Sequence, residues 1–373
     1  MSRAILFLLL AVSIVFFVYA NFAYRLPIVL YVLDVLIGVL TVYGVVYWAS
    51  GEQNMLGTSG FSYLKAIYMS LLPMYSFYVF TRKGWLTEGS LKIWAIVYLG
   101  VAIITYFYNQ RLLLEALAAG TEQDGVTNNV GYIMVALLPI SVLFRKTPLI
   151  QYFYIGICLA FTLFGMKRGA MLTGSLCTAW LLYKTFTSAT TKGKIGIFVL
   201  IIVLLGALYY GVMYLLNTND YFAYRIAQTE SGYSSSRDML YHNAIEYLIN
   251  LSDSVILLFG AGANATINIL GNYAHNDWLE ILINNGIFTA TIYLLFWIAL
   301  LGLCYKYRNN HLTFTILVSF FIIGFLETLF SMSYNDIPVY LSSVVGFAMA
   351  FPEMTKHKLR KRVVIKNRKK STH

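Results

Sequence analysis

Residues 27–48 read PIVLYVLDVLIGVLTVYGVVYW, an almost unbroken apolar run with one charged residue, Asp34. About 20 apolar residues is the length an α-helix needs to cross the hydrocarbon core of a bilayer. In lipid the backbone must satisfy its own hydrogen bonds, which a helix does and an open chain does not. The run therefore predicts a transmembrane helix. Similar blocks occur at 4–20, 64–80, 91–108, 130–144, 149–165, 170–182, 195–216, 286–304, 312–329 and 339–351. Together they predict an all-α, polytopic integral membrane protein with about 11 spans. Several blocks are short, and flanking Tyr, Trp and Lys extend them to the interface.

Composition leads to the same class. Of 373 residues, 59% are apolar and 12% are charged, where an ordinary soluble domain carries about 25% charged residues. A soluble fold would expose apolar patches far larger than a monomer tolerates. The first block is not a signal peptide, because no cleavage site and polar mature domain follow it and the next block starts almost at once. The net charge of +11 gathers in the tail 356–370, KHKLRKRVVIKNRKK. Beside a final span, that tail reads as a cytoplasmic anchor on anionic membrane lipid rather than a nucleic-acid site. Cys158, Cys177 and Cys304 lie inside apolar blocks with no disulfide framework or metal-binding spacing, so they read as packing residues.

Short basic loops set the orientation. With the tail inside, the loops carrying Lys306 and Arg308, the lysines of 184–194, Arg145-Lys146 and Arg82-Lys83 all fall inside, as the positive-inside rule requires. The same count puts 109–129, 167–169, 217–285 and 331–338 outside. It also puts the N-terminus outside, against the preference of Arg3 and the terminal amine. The organisation is spans over 1–216, an outer loop over 217–285, further spans over 286–351 and a basic tail over 352–373. The loop is too long for a plain connector. Within it, RDMLYHNAIEYL (237–248) aligns Leu240, Ala244, Tyr247 and Leu248 on one stripe, with Ser234-Ser235-Ser236 as N-cap candidates. HNDWLEILIN (275–284) predicts a second short helix leading into the next span.

Charges on the outer side are the candidates for chemistry. Lys167-Arg168 occupies a tight outward turn and breaks the charge pattern. A cation at the centre of a span costs roughly 2.5–3.5 kcal/mol, so these side chains either snorkel to headgroups or line an outward cavity where Arg168 binds an anion. Arg237 opens the loop helix and carries a fork suited to two phosphate oxygens, though most loop arginines are simply solvated. His275 can act as a base near neutral pH; alone it reads equally as a capping or interface histidine. Asp277 is too close in sequence to be taken as its orienting partner, and Asn276 or a backbone carbonyl would serve as well. His242 has nothing to raise it above a surface histidine. Gly260-Ala261-Gly262-Ala263 lacks the strand and helix of a dinucleotide site and reads as a turn for close backbone approach. Glu327 lies near the outer end of its span, reading as an interfacial residue or a sugar contact, and Asp34 has no motif around it.

The order of these features resembles the bacterial O-antigen polymerases and ligases. It runs from Asn128-Asn129-Val130-Gly131-Tyr132 and Leu138-Pro139, through Lys167-Arg168-Gly169-Ala170, Ser236-Arg237 and Phe259-Gly260-Ala261-Gly262, to Ala274-His275-Asn276-Asp277-Trp278-Leu279-Glu280. The resemblance is strongest over 128–305, and the histidine segment is its most specific part. It implies a membrane-embedded C-type glycosyltransferase of the bacterial inner membrane, with its active site facing the periplasm and its donor an undecaprenyl-pyrophosphate-linked oligosaccharide. It further implies that Arg168 and Arg237 bind the pyrophosphate, that His275 activates the acceptor hydroxyl, and that no metal or other cofactor is needed. Arg225 is a further candidate phosphate contact, with no motif to support it. A flippase and a chain-length regulator are the implied partners. Of the two branches the polymerase, which lengthens lipid-linked surface polysaccharide, fits these segments better than the ligase, which transfers glycan to the lipid A core. A lipid-linked glycan flippase and a structural scaffold are the competing classes; related halves, expected of a transporter, are not seen in the sequence.

Overall fold

The computed structural model describes residues 3–118, 128–218, 223, 227, 237–330, 337 and 339–370. Ser234-Ser235-Ser236 and Arg225 lie outside the described residues. Every element among those described is helical: α1 Arg3–Ala23, α2 Ile28–Ala49, α3 Gly60–Leu71, α4 Pro73–Lys83, α5 Glu88–Ala118, α6 Val130–Leu137, α7 Pro148–Phe164, α8 Arg168–Ser188, α9 Thr191–Thr218, α10 Arg237–Asn250, α11 Ser254–Phe259, α12 Ala265–Leu270, α13 Asp277–Lys306, α14 His311–Glu327 and α15 Val339–Lys370. A 3-10 segment, Leu138–Phe144, continues α6. Among the described residues four helices are long and apolar enough to cross a membrane by length and composition: those covering Ile5–Ala23, Ile28–Ala49, Glu88–Glu115 and Asp277–Lys306. Shorter apolar helices accompany them.

Local chemistry explains how the shorter blocks gain length. Pro73 ends the α3 ladder at Leu72 and restarts it as α4, because proline has no N–H to donate and its ring clashes with the preceding turn. Pro139 likewise sits at the start of the 3-10 segment. Eight α-helical residues followed by seven 3-10 residues rise about 26 Å at 1.5 and 2.0 Å per residue. The block 130–144 thereby approaches bilayer thickness despite its shortness.

The bundle has two chemically distinct ends. At one, Arg82 bridges Glu353 at 2.9 Å, and Arg145 makes a two-pronged contact with Glu88 at 2.9 and 3.0 Å. Lys184 lies 5.1 Å from the Phe314 ring centre. All the loops read as inner from the sequence contribute to this end. At the other end, Met55 N donates to Asn268 Oδ1 at 3.1 Å and Tyr43 Oη donates to Asn285 O at 3.3 Å. Helix α1 runs between the two: Phe7 meets Phe61 at 6.1 Å, while Tyr19 and Tyr24 lie under Lys83 and Arg82. The chain start therefore shares an end with the long loop, as the loop count expected and the Arg3 charge opposed.

Apolar residues cover much of the outside of the bundle, including Ile104 and Phe153, each 70% exposed. Burial inside is equally apolar, with Leu30, Leu33, Ile67, Phe320 and Phe347 at its centre. The three cysteines are buried and free. Asp34, unassigned from sequence, is bound by Tyr75 Oη at 2.5 Å and by Asn21 Nδ2 at 3.4 Å.

Candidate functional site at the loop end of the bundle

The site is assembled on a three-residue strap, Thr328-Leu329-Phe330, that continues from α14. Its three carbonyls accept from two parts of the chain, the start of α13 and the helix that begins at Arg237. Thr328 O takes the N–H of Asp277 at 2.8 Å. Leu329 O takes Asn276 Nδ2 at 3.1 Å and Tyr241 Oη at 3.2 Å. Phe330 O takes Arg237 Nη1 at 2.9 Å. Segments nearly forty residues apart in the chain are thus fastened to one short stretch of backbone.

His275 sits just before α13, in the left-handed region at φ 53°. A non-glycine residue there costs about 1–2 kcal/mol, and surrounding bonds must hold it. On its N-terminal side, Ala274 N donates to Glu280 Oε1 at 2.5 Å. Its own carbonyl accepts from Tyr241 Oη at 3.1 Å. On its C-terminal side, Asn276 caps α13 by accepting from Trp278 N at 3.0 Å and Leu279 N at 3.2 Å, the usual work of an Asn N-cap. The helix expected over 275–284 therefore begins at Asp277, leaving His275 outside it. The Asp277 Oδ2 accepts from Tyr293 Oη at 2.6 Å. The Tyr273 ring lies 6.5 Å from that of His275. Burial, then the charge of Arg237, then that of Lys167, hold the imidazole below its ordinary value of 6.5, so it is neutral at pH 7, the form a general base requires.

Arg237 opens α10. Of the stripe expected from sequence this helix buries Leu240 and Ala244 and half-buries Tyr247 and Leu248, and it turns His242 outward to 3.8 Å from Glu246. Arg237 also lies in electrostatic reach of Tyr132, which Glu327 approaches as well.

Lys167 and Arg168 follow a tight corner. Gly165 caps α7 so close to α6 that an added Cβ would stand 2.9 Å from Gly131 N. With Gly165 needed for that approach, the left-handed residue of the corner is Met166, at φ 51°. Lys167 then occupies the N-cap position of α8 and Arg168 its first helical position, exposed. Two cations at the positive end of a helix are unfavourable on their own and favour an anion there. A Cβ on Gly169 would come within 2.6 Å of both the Phe330 ring and Tyr132 Oη. The Lys167-Arg168 corner therefore rests on the residue whose carbonyl holds Arg237.

Of the three sequence candidates, the structure brings Arg237 and His275 together and places the Arg168 turn against the same strap. Lys167, treated from sequence only as Arg168's neighbour, is the residue of that turn in electrostatic reach of His275. Its break in the positive-inside pattern was the available signal. The glycine run serves architecture. Helix α13 breaks at Gly286, at φ 74° and ψ −179°, and the N–H groups of Ala261 and Gly262 take the carbonyls of Ile283 and Asn284 at 2.8 and 3.0 Å. A Cβ on Gly260 would collide with Asn285 N at 2.3 Å. Among the described residues no three His, Cys, Asp or Glu side chains gather to hold a metal ion. Comparison of the chain with protein-family models, with curated proteins and with solved structures gives no match.

Proposed function

We propose that the chain is an O-antigen polymerase: a glycosyltransferase of the bacterial inner membrane that crosses it about eleven times and joins undecaprenyl-pyrophosphate-linked repeat units on the periplasmic side. The observation that carries this reading is the common strap. It places an arginine fork, a neutral histidine and a second cationic turn at the end of the bundle opposite the basic loops. Both substrates are lipid-linked, so a site at the membrane surface receives them without extracting either.

In the proposed reaction His275 accepts the proton of the acceptor hydroxyl. The acceptor oxygen bonds to the anomeric carbon of the donor, and the bond from that carbon to the pyrophosphate oxygen breaks. The leaving oxygen keeps the electron pair and adds negative charge to the lipid pyrophosphate. Arg168 and Arg237 stabilise that charge as it develops, the kind of preorganised stabilisation that dominates many enzyme reactions. A unit-charge contact at about 4 Å is worth roughly 4 kcal/mol at an effective dielectric of 20, before desolvation.

The test is in-vitro extension of purified lipid-linked repeat units by the parent protein and by His275→Ala. A ladder of longer glycans that disappears in a folded variant supports the polymerase. Glycosylated lipid A core, made with no ladder in its absence, replaces the polymerase with the ligase. Movement of the substrate between leaflets without any new bond replaces the enzyme with a flippase, and full activity of the variant removes His275 from the chemistry.

A further inference from the structure

We propose that Glu280 is a positioning residue for His275: with Asn284 and Thr266 it forms a buried chain of hydrogen bonds that ties the histidine turn to α12. The reaction this hold serves rests on the glycosyl-transfer reading; the hold itself does not.

Every link of the chain has a direction. Ala274 N donates to Glu280 Oε1 at 2.5 Å, and Asn284 Nδ2 donates to Glu280 Oε2 at 3.1 Å. Asn284 Oδ1 in turn accepts from the N–H and from the hydroxyl of Thr266, each at 2.7 Å. The main chain of Asn284 is fixed as well, since its carbonyl accepts from Gly262 N at 3.0 Å. The links therefore run from the residue before His275, along the first turns of α13, to the second residue of α12. Glu280 and Asn284 are 1% exposed and Thr266 0%, so bulk water does not stand in for a lost link.

Helix α13 does not need Glu280 for its own start. Asn276 already accepts from the N–H groups of Trp278 and Leu279. In a capping box the acidic side chain reaches back to the N–H of the cap residue itself. Glu280 reaches two residues further, to Ala274, and so encloses His275 and Asn276 in one loop. A buried carboxylate is costly unless it is paired or well hydrogen-bonded, and none of the ion pairs among the described residues includes Glu280. What its two oxygens secure is the left-handed turn at His275, a conformation that persists only where its surroundings impose it. Tyr241 holds the same turn from the other side, through the His275 carbonyl.

The direction of the links supplies the test. Glu280→Gln turns one of two acceptors into a donor, which then faces a donor of Ala274 or Asn284. Asn284→Asp sets two carboxylates against each other. The double variant Glu280→Gln/Asn284→Asp gives every donor an acceptor again and keeps one carboxylate in the cluster. Each folded protein is read by peptide-resolved labelling of His275 with diethylpyrocarbonate, well above pH 6.5 where the imidazole is neutral, and by the extension assay. Both single variants should label faster than the parent and lose about 10²-fold in kcat with KM little changed. The double variant should return toward the parent in both readouts. Labelling and kcat at the parent level in folded Glu280→Gln overturn the proposal, as does a double variant no better than the single ones. If neither single variant folds, Thr266→Val, which removes one hydroxyl donor from the end of the chain, carries the test. Faster labelling with kcat about 3- to 10-fold lower supports the hold, and no change in either overturns it. If labelling follows the expected order but the parent makes no ladder, the polymerase reading falls and the hold on His275 stands.

Discussion

The two ends of the bundle both carry arginines, and they treat them differently. At the basic end, Arg145 meets both oxygens of Glu88 and Arg82 meets Glu353. Their charge is cancelled by a carboxylate, and what remains is a link between helices. At the loop end, Arg237 is oriented by the Phe330 carbonyl. A carbonyl fixes direction while leaving the full positive charge in place. The same residue type is thus a fastening between helices at one end and, at the other, a cation oriented by a backbone carbonyl, which under the proposed function would meet an anion.

The largest effect expected at the loop end follows from removing the base. His275→Ala should lower the extension rate by roughly 10²–10⁴-fold while the donor still binds. Arg237 comes next. Arg237→Ala should cost about 10²–10³-fold, divided between KM and kcat, because in the proposed reaction its charge serves both donor binding and the leaving group. Arg237→Lys keeps the charge but loses the fork, so it should recover only part of the activity. A variant that loses stability but not activity would place Arg237 with Arg82 and Arg145, and the contrast between the ends would fail.

The pH profile sharpens the contrast. His275 is held below 6.5 by burial and by its cationic neighbours, and in the proposed reaction it acts in its neutral form. The acid limb of kcat/KM should therefore lie below pH 6.5, with no further gain from this group above it. Stability has a related sign. The unfolded chain takes up a proton near 6.5 before the folded site does, so the fold loses stability as pH falls from 6.5 toward the lower folded value. An acid limb above 6.5 would show that a carboxylate partner raises the histidine.

How much of this was legible beforehand depended on the kind of signal. Membrane-crossing helices and the sidedness of the basic loops came from composition and charge, which act over long stretches. Arg237 and His275 stood out as lone basic groups in an outer loop. The strap did not, because Thr328, Leu329 and Phe330 act through backbone carbonyls, which every residue has. The start of α13 was misplaced because Asn276 is as good a cap as anything before it, and the left-handed turn at His275 has no glycine to announce it. Lys167 was overshadowed by Arg168, since one residue of register at a helix start decides which side chain faces inward. The glycine run was visible as a close approach, but its partner, the break at Gly286, lies on another helix.

A smaller effect should come from the group that holds His275 without joining the chemistry. Tyr241→Phe removes the hydroxyl shared between His275 O and Leu329 O. One neutral hydrogen bond is worth about 0.5–1.5 kcal/mol, so kcat should fall about 3- to 10-fold with KM little changed. A rise in KM alone would instead assign the hydroxyl to substrate binding.

The smallest effect belongs to the basic end and tests the other half of the comparison. Arg145 and Glu88 are each about a quarter exposed, so solvent screens their attraction only in part. A double-mutant cycle with Arg145→Ala and Glu88→Ala should give a coupling of about 1 kcal/mol in stability, read from thermal unfolding in detergent. Removing Glu88 leaves Arg145 without its carboxylate, whereas removing Arg145 leaves Glu88 with Lys92 at 3.7 Å, so Glu88→Ala should be the less stable of the two single variants. Extension activity per folded molecule should stay at the parent level in all three, because this pair touches neither the strap nor the His275 turn. If the pair instead shifted the His275 acid limb, the two ends would be coupled through α14, whose first residue, His311, feels Arg145 and Lys184 and whose last turn leads into the strap.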